Sequence, residues 1–357
     1  MGYLSCKARY TLVISSVDSW CLTSCLEHIS NLASCHRTSV NLFHMYMLYN
    51  GAFALVGVAM MSGDGVTWHC HPIFAIFVGD YPEQILATGV KTWECLICEC
   101  PRDELEGEDE YEYLDLGVIS DSLGVFDDPV AQVFVWACRD AGIKPIVHPF
   151  WEGLPYANIY HSIAPDVLHQ LYQGVIKHLL SWLNGAFGEA DINAHCWWFP
   201  PDLNTQLFTK CVILLSPLSG TEHNQICWLV LGMVVDLHLP NGMNSSCLIH
   251  SIHALLDFLY QSQYPIHSTT TLNLLTNALS HFHKNKAIFV DLGIWDHFNI
   301  PKLHFLKHYM DFLKLYGTTN NYSTEFTKHL HIDFAKDAYH TTNQKDEYPQ
   351  MTMWLDH

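Results

Sequence analysis

Two patterns of apolar and polar residues follow one another along this chain. Residues 72–78, Pro-Ile-Phe-Ala-Ile-Phe-Val, form a short apolar run rich in β-branched and aromatic side chains, ending at Gly79-Asp80. Such a run predicts a buried strand with a carboxylate at its carboxyl end. Pro82-Glu83-Gln84 then predicts a helix start or a turn. Further on the spacing becomes helical. Pro165 suits a first helical turn, and Val167, Leu168, Leu171, Val175, Leu179 and Leu183 fall on one face. Helical spacing recurs over 247–260, 270–290, 303–316 and 326–339, and upstream at Leu42, Met45, Leu48 and Tyr49 within 41–55. Residues 1–40 are weakly patterned, with one strand-like run at 10–14. Gly63-Asp64-Gly65 is a turn signal. One strand-rich patch followed by a long helical region predicts an α/β core carrying a helical insertion.

Composition narrows the class. In 357 residues, 49% are hydrophobic and 15% charged, enough apolar mass for a packed core rather than a disordered chain. The formal charge of −19 repels phosphate backbones, so unaided tight nucleic-acid binding is not expected. Thirteen cysteines without even spacing predict a reducing compartment. No apolar window approaches the ~18 residues of a membrane span, and the first 25 residues lack a signal-peptide pattern, so a soluble intracellular protein is expected. Between Asp103 and Asp128 lie 11 acidic residues. Like charges this dense repel, which predicts a solvated insertion or linker rather than a metal site.

Several residues could carry chemistry. Cys95-Leu96-Ile97-Cys98 is a CxxC with Cys100 two residues on; it could be a redox pair, half a zinc site or coincidence. His304 and His308 stand i,i+4 on a predicted helix and could supply the other half, closing a tetrahedron over some 200 residues of chain. With 24 histidines such a pair also arises by chance. Asp80 occupies the strand end where α/β folds expose ligands, though a strand-ending turn explains it too. Thr221 and Glu222 look like helix N-terminal residues, Glu325 could cap the helix after it, and Asp166 with His169 reads as a structural polar pair.

The order of the motifs carries more than any one of them. Residues 61–66 (Met-Ser-Gly-Asp-Gly-Val) precede His71-Pro72-Ile73-Phe74-Ala75-Ile76-Phe77-Val78-Gly79-Asp80-Tyr81-Pro82-Glu83-Gln84. Then come Gly89 to Cys98, Pro149-Phe150-Trp151 with Leu154-Pro155, and Ala164-Pro165-Asp166-Val167-Leu168-His169-Gln170-Leu171. Gly220-Thr221-Glu222-His223, Phe298-Asn299-Ile300-Pro301-Lys302, and His329 to Tyr339 close the series. From about residue 41 to the C-terminus this resembles the Plavaka family of fungal DNA transposases, relatives of the CACTA group.

The resemblance implies an incomplete RNase H-like core interrupted by a large, mostly α-helical insertion. A poorly patterned segment (1–40) would precede a partial core with the CxxC (41–101). An acidic loop with the insertion (102–300) would follow, then C-terminal helices completing the core (301–357). It further implies DDE chemistry, in which three acids hold two Mg²⁺ or Mn²⁺ ions for cut-and-paste phosphodiester cleavage and strand transfer. By position Asp80 matches the second acid and Glu325 the last, with Glu222 the alternative. Cys95, Cys98, His304 and His308 match a structural Zn²⁺ set flanking the insertion. The implied partner is DNA and the implied location the nucleus.

The sequence departs from the family at its start. No Asp-Lys-Thr context for a first acid precedes Asp80, Asp18 has no supporting motif, and no basic DNA-finding region occurs. The expectation is a chain whose first core strands are lost, whose sheet has a bare edge, whose DNA binding is weak or absent, and whose catalysis has lapsed. The alternative is a non-catalytic relic or interaction module around a zinc clamp, with a protein partner or self-association.

Overall fold

The computed structural model describes residues 13–15, 55–61, 65–71, 73–127, 129–199, 220–325, 337–345 and 347–355. The helical spacing read over 41–55 and most of that over 326–339 lie outside these residues, as does Asp18.

At the centre of the smaller half is β4 (Ile76–Val78), paired in parallel with β1 (Val13–Ser15) so that Val13 faces Ile76 and Ser15 faces Val78. On its other side Phe77 bridges in parallel to Ile163, and the Ala164 N–H donates to the Phe77 carbonyl at 3.0 Å. One side of β4 is therefore paired with a strand from the weakly patterned segment. The strand is also shorter than residues 72–78. Its partner β1 offers only three residues, and Phe74 turns instead to pack edge-on against Phe150 at 5.8 Å. A separate antiparallel hairpin, β2 (Val58–Met61) with β3 (Thr67–Cys70), spans the Gly63-Asp64-Gly65 turn signal. Its exposed alternation is too weak to read as strands in sequence.

Asp80 opens α1 (Tyr81–Thr88) through a capping box: its Oδ1 accepts the Glu83 N–H at 2.9 Å, and Glu83 Oε2 accepts the Asp80 N–H at 3.1 Å. The helix ends at Gly89, φ 74°, where a Cβ would collide with Ile146. Only glycine fits that left-handed position at no steric cost. Two more helices, α2 (Leu116–Leu123) and α3 (Ala131–Asp140), close this core.

The larger half is helical. Asp166 is the N-cap of a π-helix, Val167–Ile176, that runs on into α4 (Lys177–Phe187); Pro165 thus precedes the cap instead of starting the helix. Nine of the ten π-helical residues are buried, so the apolar face read in sequence widens to nearly the whole circumference. Packed with it are α5 (Glu189–Trp197), α6 (Gly220–Val234), α7 (Ser246–Ser262) and α8 (Thr269–Asn285), the last two forming a helical hairpin.

The two cores share one rod, α9, built of Pro301–His304, a 3₁₀ turn Phe305–His308 and Tyr309–Tyr316. Phe305 and Phe312 belong to the core around β4, while Leu303, Leu306, Tyr309 and Leu313 belong to the helical core. At 3.6 residues per turn these two sets line different faces, so one helix serves both. The chain closes with α10 (Glu347–Leu355).

The acidic segment is not a free linker. Most of its carboxylates face solvent as expected, but its backbone is tied down. Leu105 is buried, the carbonyls of Glu106 and Asp109 accept from Lys286 Nζ (2.6 Å) and Lys307 Nζ (2.8 Å), and Glu106 Oε2 accepts the Phe298 N–H at 2.7 Å. Lys286 also contacts His283 Nδ1 at 3.0 Å. Burial, with the Lys286 charge adding, pushes the His283 imidazole down to about 3. An unfolded chain would take up that proton near pH 6.5, the folded one only near 3, so stability falls as pH drops through this window. His283→Gln, which keeps an acceptor but does not titrate, is expected to flatten that loss. Urea midpoints of both proteins at pH 7 and 4.5 measure it, and equal losses would contradict the assignment.

Candidate functional site

The tightest convergence of chemistry-bearing groups lies where α9 meets the loop after α1. The antiparallel bridge between Cys98 and Tyr113, with Leu114 N–H bonded to the Ile97 carbonyl at 2.8 Å, holds the CxxC turn against the acidic segment. Leu96 and Ile97 are buried between the two sulfurs, and the Ile97 N–H donates back to Cys95 Sγ at 3.5 Å. From α9, His308 Nε2 reaches Cys95 Sγ at 3.4 Å and His304 Nε2 reaches Cys98 Sγ at 3.2 Å.

All four ligand atoms lie within 4.8 Å of one another and all four residues are buried; among the described residues this is the one such group. In a tetrahedral site with Zn–S near 2.3 Å and Zn–N near 2.0 Å, sulfur and nitrogen stand about 3.5 Å apart. The observed separations match, and the donor set is two thiols and two imidazoles. The cluster could hold a metal such as zinc. His304 is aimed by its other nitrogen, since Nδ1 donates to the Leu105 carbonyl at 3.1 Å and leaves Nε2 as the ligand atom. Burial pushes the Cys95 thiol up, whereas hydrogen bonding from Cys95, then from His304 and His308, draws Cys98 down to about 2. The lowered Cys98 thiol favours the deprotonated form that a metal site requires.

A second polar constellation lies at the carboxyl end of β4. Asp80 and Asp166 each stand three residues beyond the parallel Phe77–Ile163 bridge, so β4 and the segment bridged to it deliver an aspartate at the same end. The Gln84 side chain fixes α1 to this end by donating to the Ala164 carbonyl at 3.0 Å. Asp80 is half-buried, with one oxygen committed to its cap. Lys302, on α9, donates to the His169 carbonyl at 2.9 Å; burial lowers its pKa, while the charges of Asp80 and Asp166 work in the opposite sense.

Asp166 is only 1% exposed and is bonded to His169 and, across 158 positions, to Thr324. Thr324 precedes Glu325, whose carboxylate lies against Gly220, the first residue of α6; a Cβ at Gly220 would stand 2.5 Å from Glu325 Oε1. Glu222, half-buried in the first turn of the same helix, and Glu325 therefore border one helix start. Thr324, the neighbour of Glu325, is bonded to Asp166, and Asp166 to His169, whose carbonyl holds Lys302. The oxygens of Asp80 and Glu325 do not form a group as tight as the Cys/His cluster.

Sequence reading brought out the four Cys/His residues, Asp80, Glu325, and the Asp166–His169 pair. It missed Thr324, Lys302 and the Leu105 carbonyl. Only the Pro-Asp start of the 167–187 helix hinted that Asp166 was a cap; nothing local connects it to Thr324.

Residues 22–183 match the model of the Plavaka transposase family, and the chain is similar to that family over this segment. The match begins inside the stretch read as poorly patterned. It contains Asp80, Cys95, Cys98 and Asp166, whereas His304, His308, Glu222 and Glu325 lie beyond it. No curated protein matches the chain. No helix among the described residues is long and apolar enough to cross a membrane.

Proposed function

We propose that this chain descends from the catalytic domain of a cut-and-paste DNA transposase. In this reading β1, β4 and the Ile163 segment are the parallel part of an RNase H-like core, and the helices from α4 to α8 are its insertion. The observation that carries the reading is the parallel bridge of β4 to Ile163, with Asp80 and Asp166 each three residues beyond it and Thr324, the neighbour of Glu325, bonded to Asp166. Asp80 and Glu325 would hold Mg²⁺ or Mn²⁺, and such ions supply an activated water or 3′-hydroxyl and neutralise charge on the phosphate. Both carboxylates have access to solvent, which suits that role, whereas Asp166 has both oxygens occupied and does not. Lys302, whose charge Asp80 favours, is one of few cations in the chain and would attract a phosphate.

Zinc in the Cys95, Cys98, His304, His308 site would be structural, because all four ligands come from the protein and leave no open position. Two acids are assigned where the chemistry uses three, and the charge of −19 opposes DNA. Cleavage by this chain is therefore expected to be feeble. The test is Mn²⁺-dependent nicking of supercoiled plasmid at low salt, with Asp80→Ala beside it. Nicking that survives Asp80→Ala would remove Asp80 from the site. A non-catalytic interaction module is the second reading, favoured by the buried Cys/His cluster joining both cores. Sub-micromolar binding of duplex DNA at ~150 mM salt would count against it.

A further inference from the structure

Asp166 lies three residues beyond the Ile163 bridge to β4, yet it cannot serve as a metal ligand. Its Oδ1 accepts the Thr324 N–H at 3.0 Å. Its Oδ2 accepts the Thr324 hydroxyl at 2.5 Å, the His169 N–H at 2.9 Å and the His169 Nδ1–H at 2.6 Å. The Thr324 Oγ1 also lies 3.0 Å from His169 Nδ1, so the ring proton is shared between carboxylate and hydroxyl. On the main-chain side Tyr309 Oη donates to the Asp166 carbonyl at 3.3 Å. Asp166, His169 and Thr324 are all buried.

A buried carboxylate is a costly tether, tolerated where charge-assisted hydrogen bonds offset its desolvation and fix geometry. Here the geometry fixed is that of one short segment. Tyr322 and Thr324 are buried while Glu325, the residue after Thr324, is exposed. Two bonds on Thr324, one to its backbone and one to its side chain, define the direction in which the next side chain leaves. That side chain, Glu325, passes to Gly220, where the missing Cβ makes room for the carboxylate. On the opposite flank the carbonyl of His169 holds Lys302, whose charge is felt by both Asp80 and Asp166. The cluster therefore holds Thr324, the neighbour of Glu325, on one flank and Lys302 on the other.

We infer that Asp166, His169 and Thr324 form a positioning latch that aims Glu325 at the divalent-cation site it shares with Asp80. Asp166 is thus a positioning residue and binds no cation itself. The inference rests on the metal-binding reading of Asp80 and Glu325, and its test separates the two.

The zinc-loaded full chain is exposed to Fe²⁺ with ascorbate and peroxide, so that radicals cut the backbone next to bound iron, and Mg²⁺ is added as competitor. In the wild type, cuts near residues 80 and 325 that Mg²⁺ suppresses are expected. Thr324→Val keeps shape and the backbone bond but loses the hydroxyl. It is expected to weaken the cut near 325 about ten- to a hundredfold, the usual effect of losing an outer-sphere support, while the cut near 80 persists. Thr324→Ser is expected to keep both. Gly220→Ala leaves the latch intact but displaces the Glu325 carboxylate, and is expected to lose the same cut. Both cuts surviving in folded Thr324→Val, or in Gly220→Ala, would overturn the latch while leaving the metal reading in place. Absence of Mg²⁺-sensitive cuts in the wild type would overturn the metal reading and the latch together.

Discussion

Exchanging His308 for alanine is expected to take the zinc content from one ion per chain to none and to lower the unfolding midpoint by tens of degrees. The size of the effect follows from where the site lies. His304 and His308 are on α9, the rod shared by both cores, and Cys95 and Cys98 are on the loop against it. Closing that tetrahedron ties residues more than 200 positions apart. Metal binding by a closed Cys/His site is worth about 10–16 kcal/mol in small zinc domains, comparable with the whole stability of about 5–15 kcal/mol of a typical domain. Without the ion the two sulfurs and the two Nε2 atoms that would bind it are left buried against one another. Cys98→Ser is expected to behave as His308→Ala does, and a strong chelator added to the wild type should reproduce both. Metal analysis alongside thermal melts decides it. A wild type purified gently without zinc, or variants with unchanged midpoints, would dismiss the clamp.

The second large effect is expected at Asp166. Asp166→Ala would leave the Thr324 N–H and hydroxyl and both His169 donors facing a void, and removing one partner of a buried charged network costs about 3–5 kcal/mol. Thr324→Val removes one hydroxyl bond and is expected to cost about 1–2 kcal/mol, small enough to leave the chain folded. Burial pushes the Asp166 carboxyl up, but the bonds from His169 and Thr324 outweigh it and hold the group below the usual carboxylate range. With the folded value depressed, this contribution is complete above the unfolded carboxylate pKa near 4 and fades as pH falls through the folded value. Asp166→Ala should therefore lose most against the wild type at neutral pH and less under strong acid. Urea titrations at pH 7 and pH 3 measure the difference, and a gap independent of pH would mean that Asp166 is not ionised in the fold.

How much of this was legible beforehand differs between the two sites. The Cys/His cluster was readable because each half has a local signature. Two residues separate the thiols and one helical turn separates the imidazoles, and only the joining of the halves had to be supposed. The helices over 247–260 and 303–316 were readable for the same reason, being periodic over several turns. The predicted 270–290 helix breaks at Lys286, because that residue turns aside to bind the Glu106 carbonyl and cover Phe298.

Strands fared worse. β1 is three residues long, and its only reason for being a strand is β4, some 60 positions away. The π-helix could not be told from an α-helix, since apolar residues surround it and no face distinguishes the two periods. Thr324 was invisible because a hydroxyl carries no pattern, and its partner lies in another part of the chain. The acidic segment misled because its side chains are indeed solvated. What anchors it is its backbone, and backbone carbonyls have no letter in a sequence.

The split metal site has a consequence for how the protein is made. Ribosomes add about 5–20 residues each second, so with 206 positions between Cys98 and His304 the thiols leave the exit tunnel roughly 10–40 s before their imidazole partners exist. Throughout that interval a nascent chain exposes a paired, ionisable thiol turn with nothing to complete its coordination. It is open to oxidation and to softer cations such as copper(I). Productive synthesis therefore depends on a reducing environment and on free zinc at the moment α9 emerges, and heterologous expression should improve when both are supplied during translation instead of at refolding.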